Sequence, residues 1–148
     1  MIRVVISNRQ RHARIAERRL RSITRQVLKG EGITAARISL VLLDDAAIHR
    51  INKQFLNHDE PTDVITFPLS ESGEGTLRGE LLISGETAKR MAKSLGHPAA
   101  DEVALYTLHG LLHLCGYDDI KPKDRREMRR RERHYLDKLR IVARAVDT

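Results

Sequence analysis

Sulfur and aromatic rings are scarce in this chain. Its 148 residues include one cysteine, Cys115, so no intramolecular disulfide can form and a reducing, cytoplasmic setting is expected. Tryptophan is absent. Phe55, Phe67, Tyr106, Tyr117 and Tyr135 are too few and too scattered to form a platform on which bases stack. Long apolar runs are missing as well. The strongest, around Val103 to Leu114, falls far short of the roughly 20 residues of a membrane span and contains two histidines, so no membrane partner is expected. The opening MIRVVISNRQRHARIAERRL interrupts its few apolar residues with arginines, which is not the apolar core of a signal peptide. No repeat and no Pro/Gly/Ser-rich linker divides the sequence, and a single domain over residues 1–148 is expected.

Basic charge is short in the middle of the chain and abundant at its ends. Residues 1–29 carry nine Lys/Arg against one acid and residues 121–144 eleven against four, whereas residues 30–120 carry seven against fourteen. The overall charge of +7 is therefore held by two terminal segments that frame an acidic centre. A cationic rim suits a phosphate chain, and an acidic interior suits a bound cation. Arginine-rich helix faces that are simply solvated give the same composition.

Periodicity supplies the elements. IRVVI reads as a strand, and Ala13, Ala16, Leu20, Ile23 and Val27 mark a helix that Lys29-Gly30-Glu31-Gly32 ends. Arg37 to Leu43 is a strand, and Asp44 or Asp45 caps a helix running to about Phe55. After a turn from Asn57 to Pro61 come a strand from Thr62 to Phe67, stopped by Pro68, and a polar loop from Ser70 to Thr76. Glu80 to Ser84 is the fourth strand and Gly85 to Leu95 a helix closed by Gly96-His97-Pro98. The next helix, to about Leu114, is apolar on nearly every side and so should be buried, with Gly116 ending it. Pro122 opens a last long helix with an apolar stripe of Met128, Tyr135, Leu139, Val142 and Val146. The expected class is α+β, with one small four-stranded mixed sheet packed by about five helices.

The segment richest in chemistry is His109-Gly-Leu-Leu-His113-Leu-Cys-Gly116-Tyr-Asp118-Asp119. Histidines four apart on a helix lie one turn above each other and can aim at one point. Gly116 turns the chain back and can bring a carboxylate at 118 or 119 to the same point. The H-x3-H-x5-D spacing has the geometry of a three-ligand catalytic metal site with an open position for water. Gly110 adds to this, because a mid-helix glycine costs about 1 kcal/mol and marks close approach of a backbone or ligand. It also excludes a zinc protease of the HExxH kind, which needs a glutamate there as general base. Cys115 reads as a small packing residue. His12, His49, His97 and His134 have no partner at metal spacing and read as surface or capping residues.

HGLLHLCGYDD resembles the signature of the YbeY family of bacterial metal-dependent endoribonucleases. The likeness continues upstream through Ile51-Asn52, Phe55, Asp59, Pro61-Thr62-Asp63-Val64-Ile65-Thr66-Phe67-Pro68 and Gly79-Glu80, across most of residues 35–120. The resemblance implies a small mixed sheet packed by helices and one zinc ion per chain. It also implies cleavage of single-stranded RNA during maturation of the small-subunit rRNA, with the ribosomal small subunit and its assembly factors as partners. On this reading His109, His113 and Asp119 are both metal ligands and catalytic residues, manganese or another divalent ion can replace zinc, and Asp63 is a further catalytic candidate. Asp63 is equally readable as a cap or turn residue, and Thr62 and Thr66 as ordinary strand residues. The chain departs from the family pattern twice. Asp119 stands where the third ligand is usually a histidine, and Leu56 where an arginine is common, which leaves Arg50, Lys53 or His58 to supply a cation. A ribosome-associated, metal-stabilised RNA-binding module with little catalysis is the alternative reading.

Overall fold

Apolar residues alternate along Ile2–Asn8 (β1), which sends Ile2 and Val4 into the core. The stripe that follows becomes helical only at Glu17–Gly30 (α1), although Ala13 is already buried. The Gln10 side chain explains the late start. It accepts the N–H groups of His12 and Ala13 and donates to the Ala13 carbonyl, satisfying locally the groups that a helix would otherwise pair. The computed structural model describes residues 1–56, 63–70 and 75–143. The segment expected to turn from Asn57 to Pro61, with His58 and Asp59, lies outside the described residues, as do Thr62, residues 71–74 of the expected polar loop, and Val146.

The remaining elements are Ala36–Leu43 (β2), Asp45–Leu56 (α2), Val64–Pro68 (β3), Leu77–Ser84 (β4), Gly85–Leu95 (α3), Ala99–Leu114 (α4) and Pro122–Lys138 (α5). The sheet order is β1-β2-β4-β3, with β1, β2 and β4 parallel and β3 antiparallel to β4. This is the α+β class with a four-stranded mixed sheet and five helices. Period-two alternation divides the two faces of the sheet. Ile38, Leu40 and Leu42 of β2 and Leu81 and Ile83 of β4 meet α1, α4 and α5 in the larger core. Val41, Leu43, Ile65 and Leu82 meet Ile48 of α2 on the other face. Buried by neighbours on nearly every side, α4 is the central helix, as its apolar surround predicts.

Three local expectations are corrected. The first concerns β4, which begins at Leu77 rather than Glu80 because the ladder with β2 continues through Ala36↔Leu77 and Ile38↔Gly79. Gly79 belongs to it for want of room, since a Cβ there would lie 2.6 Å from Leu114 Cδ1. The second concerns α5, which stops at Lys138, short of the stripe to Val146. Arg140 takes a left-handed φ of 55°, Ile141 donates to the Leu136 carbonyl and turns into the core, and Val142 is exposed. The Val142 N–H is taken by buried Asp101, which also accepts from Arg19, so one carboxylate joins α1, α4 and the chain after α5. The third is His97, which is not a surface residue. Left-handed Gly96 ends α3 and turns His97 inward, where it pairs with buried Glu102.

Asp44, rather than Asp45, caps α2 by accepting the Ala47 N–H. Asp45 instead accepts from Ser84 Oγ, Thr87 Oγ1 and Arg90, tying α2 to the start of α3. Burial pushes the Asp45 carboxyl up, but these three donors outweigh it and hold it below the ordinary aspartate range. A carboxyl depressed in the folded state stabilises the fold above its unfolded pKa of about 3.9, and that stabilisation is lost as pH falls through the lower folded value. Asp45→Asn should therefore cost about 1–3 kcal/mol near neutral pH. Urea melts from pH 7 to pH 3 should show the wild type losing this advantage below about pH 4.

Candidate metal centre

On α4, His109 and His113 are four residues apart and their rings meet edge to face, with Nε2 atoms 3.1 Å from each other. Gly116, with φ 105°, turns the chain back after the helix, and Tyr117 N–H returns to the Leu112 carbonyl. Asp118 then closes the turn, its Oδ1 accepting the N–H groups of Asp119 and Ile120. Arg125 fixes the same loop by donating to the Asp119 and Ile120 carbonyls. The result is that Asp119, not Asp118, faces the histidines. Its Oδ2 lies 3.3 Å from His109 Nε2 and 3.6 Å from His113 Nε2.

These separations can be tested against a metal. Two donors about 2.0–2.1 Å from a tetrahedral ion stand roughly 3.3 Å apart. The three observed distances scatter about that value, and the three residues form the one such group among the described residues. Two imidazoles and a carboxylate are also a donor set that suits zinc and leaves a fourth position open. Each side chain is a fifth to a third exposed, so the point they share can be reached from solvent.

Glu132 of α5 supports the centre and was not singled out from the sequence. It is 1% exposed, and His109 Nδ1 lies 2.6 Å from its Oε1. A proton on Nδ1 that donates to Glu132 leaves the Nε2 lone pair free to face Asp119 and His113. Arg129 donates to both Glu132 oxygens, at 2.8 and 2.9 Å. Its Nε is the one buried side-chain polar atom without a hydrogen-bond partner among the described residues. Burial pulls the His109 imidazole down, but Glu132, with help from Asp119 and Asp63, outweighs this and raises it above the ordinary histidine value. The sequence does hold a signal for Glu132. It follows Met128 by four residues and precedes Leu136 by four, so it is a carboxylate within the buried stripe of α5.

A cavity of about 500 Å³ opens beside His109 and Asp119. Asp63 lines it, with its Oδ1 accepting the Val64 N–H. Among the described residues the arginines lining it are Arg90 and Arg129, while Arg50 and Lys53 of α2 do not line it. Thr66 lies elsewhere, under α4. A Cβ on Gly110 would come within 2.8 Å of Leu81 and 3.2 Å of Thr66 Oγ1, so Gly110 serves the seating of α4 on the sheet. Burial and the nearby Glu31 push the Cys115 thiol up to about 12, as suits a packing residue.

Residues 5–140 match the sequence profile described as endoribonuclease YbeY. This chain belongs to the YbeY endoribonuclease family. The endoribonuclease YbeY of Pelotomaculum thermopropionicum is 38% identical over 149 residues, covering 94% of this chain and 98% of the relative. That of Nautilia profundicola is 45% identical over 109 residues, covering 74% and 76%. A solution structure of a Thermotoga maritima protein superposes with a TM-score of 0.67 at 26% identity, covering 94% of this chain and 89% of that one. The YbeY enzymes hydrolyse RNA, and this YbeY chain contains a three-residue cluster able to hold the metal such chemistry uses. No helix among its described residues is long and apolar enough to cross a membrane.

Proposed function

We propose that this chain, acting as one domain over residues 1–148, is a zinc-dependent endoribonuclease in the cytoplasm. Its substrate is single-stranded RNA, cut during maturation of the small-subunit rRNA and in ribosome quality control, with the small subunit and its assembly factors as partners. The observation that carries the reading is the convergence of His109, His113 and Asp119 at separations suited to one tetrahedral ion.

A divalent ion held by these residues supplies Lewis acidity and brings the pKa of a water down to about 7. The chain's own groups do the rest. Glu132 and Arg129 fix the tautomer and direction of His109. Arg90 and Arg129 offer guanidinium N–H groups to phosphate oxygens on two walls of the cavity, in place of a cation at position 56. Asp63 faces the same space and serves as a hydrogen-bond acceptor for a water or a ribose hydroxyl. Among the described residues the cavity's four carboxylates, Asp63, Glu102, Asp119 and Glu132, outnumber its two arginines. This balance fits a cation-loaded site and disfavours phosphodiester binding by the metal-free protein.

A cleavage assay with labelled single-stranded RNA, the matching duplex and a small phosphodiester ester tests the proposal. The zinc-loaded protein should cut the single strand internally, and chelation or His113→Ala should stop it. RNA binding without metal-dependent cleavage would favour a binding module instead. Cleavage of the small ester alone would point to another class of phosphodiesterase.

A further inference from the structure

On the flank of α5 away from the metal centre lies a second concavity, of about 540 Å³, between α1 and the end of α5. Arg18 and Arg19 line it from α1, with Ser22 and Gln26 one and two turns further along, and Lys138 and Arg140 line it from the other side. No acid lines it. Glu17 and Asp137 are the adjacent carboxylates in sequence, and buried Asp101 is engaged by Arg19 and the Val142 N–H. Among the described residues, no carboxylate pairs with Arg18, Lys138 or Arg140. Three cations without a carboxylate partner, Arg18, Lys138 and Arg140, beside two neutral hydrogen-bonding side chains in one groove repel one another unless an anion lies between them.

The groove does not belong to the metal centre. Lys138 is six residues beyond Glu132, roughly 9 Å along the helix at 1.5 Å per residue. α5 is the wall common to both concavities, giving Arg129 and Glu132 to one and Lys138 to the other. Exposed Arg126, Arg130 and Arg133 lie on the same helix, together with exposed Glu127 and Asp137.

We infer that the α1/α5 groove is a second RNA-binding site, which holds the phosphate backbone of a single strand outside the segment being cut. This rests on the endoribonuclease reading. Grip at a distance from the scissile bond raises affinity for long RNA without altering the chemistry. Contacts to phosphate carry no base preference, so the site is indifferent to sequence.

The test compares two triple variants that remove the same charge. One is Arg18→Gln/Lys138→Gln/Arg140→Asn, in which asparagine tolerates the left-handed backbone at 140. The other takes exposed Arg3, Arg37 and Lys93, which line neither concavity, to Gln. Affinity for a labelled 20-nucleotide single strand is measured by fluorescence anisotropy against salt, in the full chain carrying His113→Ala. The groove variant should bind roughly tenfold more weakly at low salt, and its log–log salt slope should be shallower by about 2, three phosphate contacts counting about 0.7 each. The control variant should stay close to the parent. In the zinc-loaded enzyme the groove variant should raise KM for the long RNA, with kcat and the cleavage of a trinucleotide unchanged. Equal weakening by both variants, or by neither, overturns the groove. A zinc-loaded wild-type enzyme that neither binds nor cuts the long RNA overturns the endoribonuclease reading itself, which separates the two failures.

Discussion

Asp119→Ala should lower zinc affinity by more than the roughly 10- to 100-fold typical of losing a partner that merely supports a ligand, because here a ligand is removed. With Asp119 truncated, two imidazoles on one helix face remain, and Asp118 is engaged in the turn with the Asp119 and Ile120 N–H groups. Asp119→His should restore binding, and it should move selectivity toward zinc and away from manganese. A carboxylate donates negative charge and suits harder cations, whereas a third imidazole leaves the ion more electrophilic. Isothermal titration with both metals on the wild type and the two variants reads this directly. An Asp119→Ala protein that binds zinc as the wild type does would place the third ligand elsewhere.

Glu132→Ala should have the second-largest effect, and on two separate quantities. Glu132 fixes the tautomer of His109, and loss of such a partner typically costs about 10- to 100-fold in metal affinity. It is also the counter-charge of Arg129, whose side chain is 15% exposed. Removing one member of a buried pair costs about 3–5 kcal/mol, since the other charge is left unmatched. The stability loss should be measured on metal-free protein by urea denaturation, so that metal linkage does not add to it. Glu132→Gln retains the volume and one acceptor but no charge, and should fall between the two. Wild-type zinc affinity in Glu132→Ala would show that His109 needs no orienting partner.

What the sequence made legible is local. The imidazole pair follows from helix pitch, the return of the chain from Gly116, and the burial of α4 from its apolar surround. Strand and helix order followed from periodicity, and the sheet's mixed character from the sequence of elements. What stayed hidden depends on tertiary contact. Glu132 acts on His109 from 23 residues away, inside a helix whose many arginines conceal one buried acid. Arg90 and Arg129 reach the cavity from α3 and α5, whereas the cations nearest the variant position in sequence, Arg50 and Lys53, do not line it. Helix limits were misplaced where one residue overrides the pattern, as Gln10 does before α1 and left-handed Arg140 after α5. His97 is buried because Gly96 turns it inward, and no spacing rule foretells its pairing with Glu102.

We propose that His109, His113 and Asp119 together hold one catalytic ion. The most direct test is the metal content of untagged protein by inductively coupled plasma mass spectrometry, for the wild type and for His113→Ala. Close to one zinc per wild-type chain is expected and almost none in the variant, with the fold retained by circular dichroism. A wild type that is metal-free and takes up neither zinc nor manganese would contradict it.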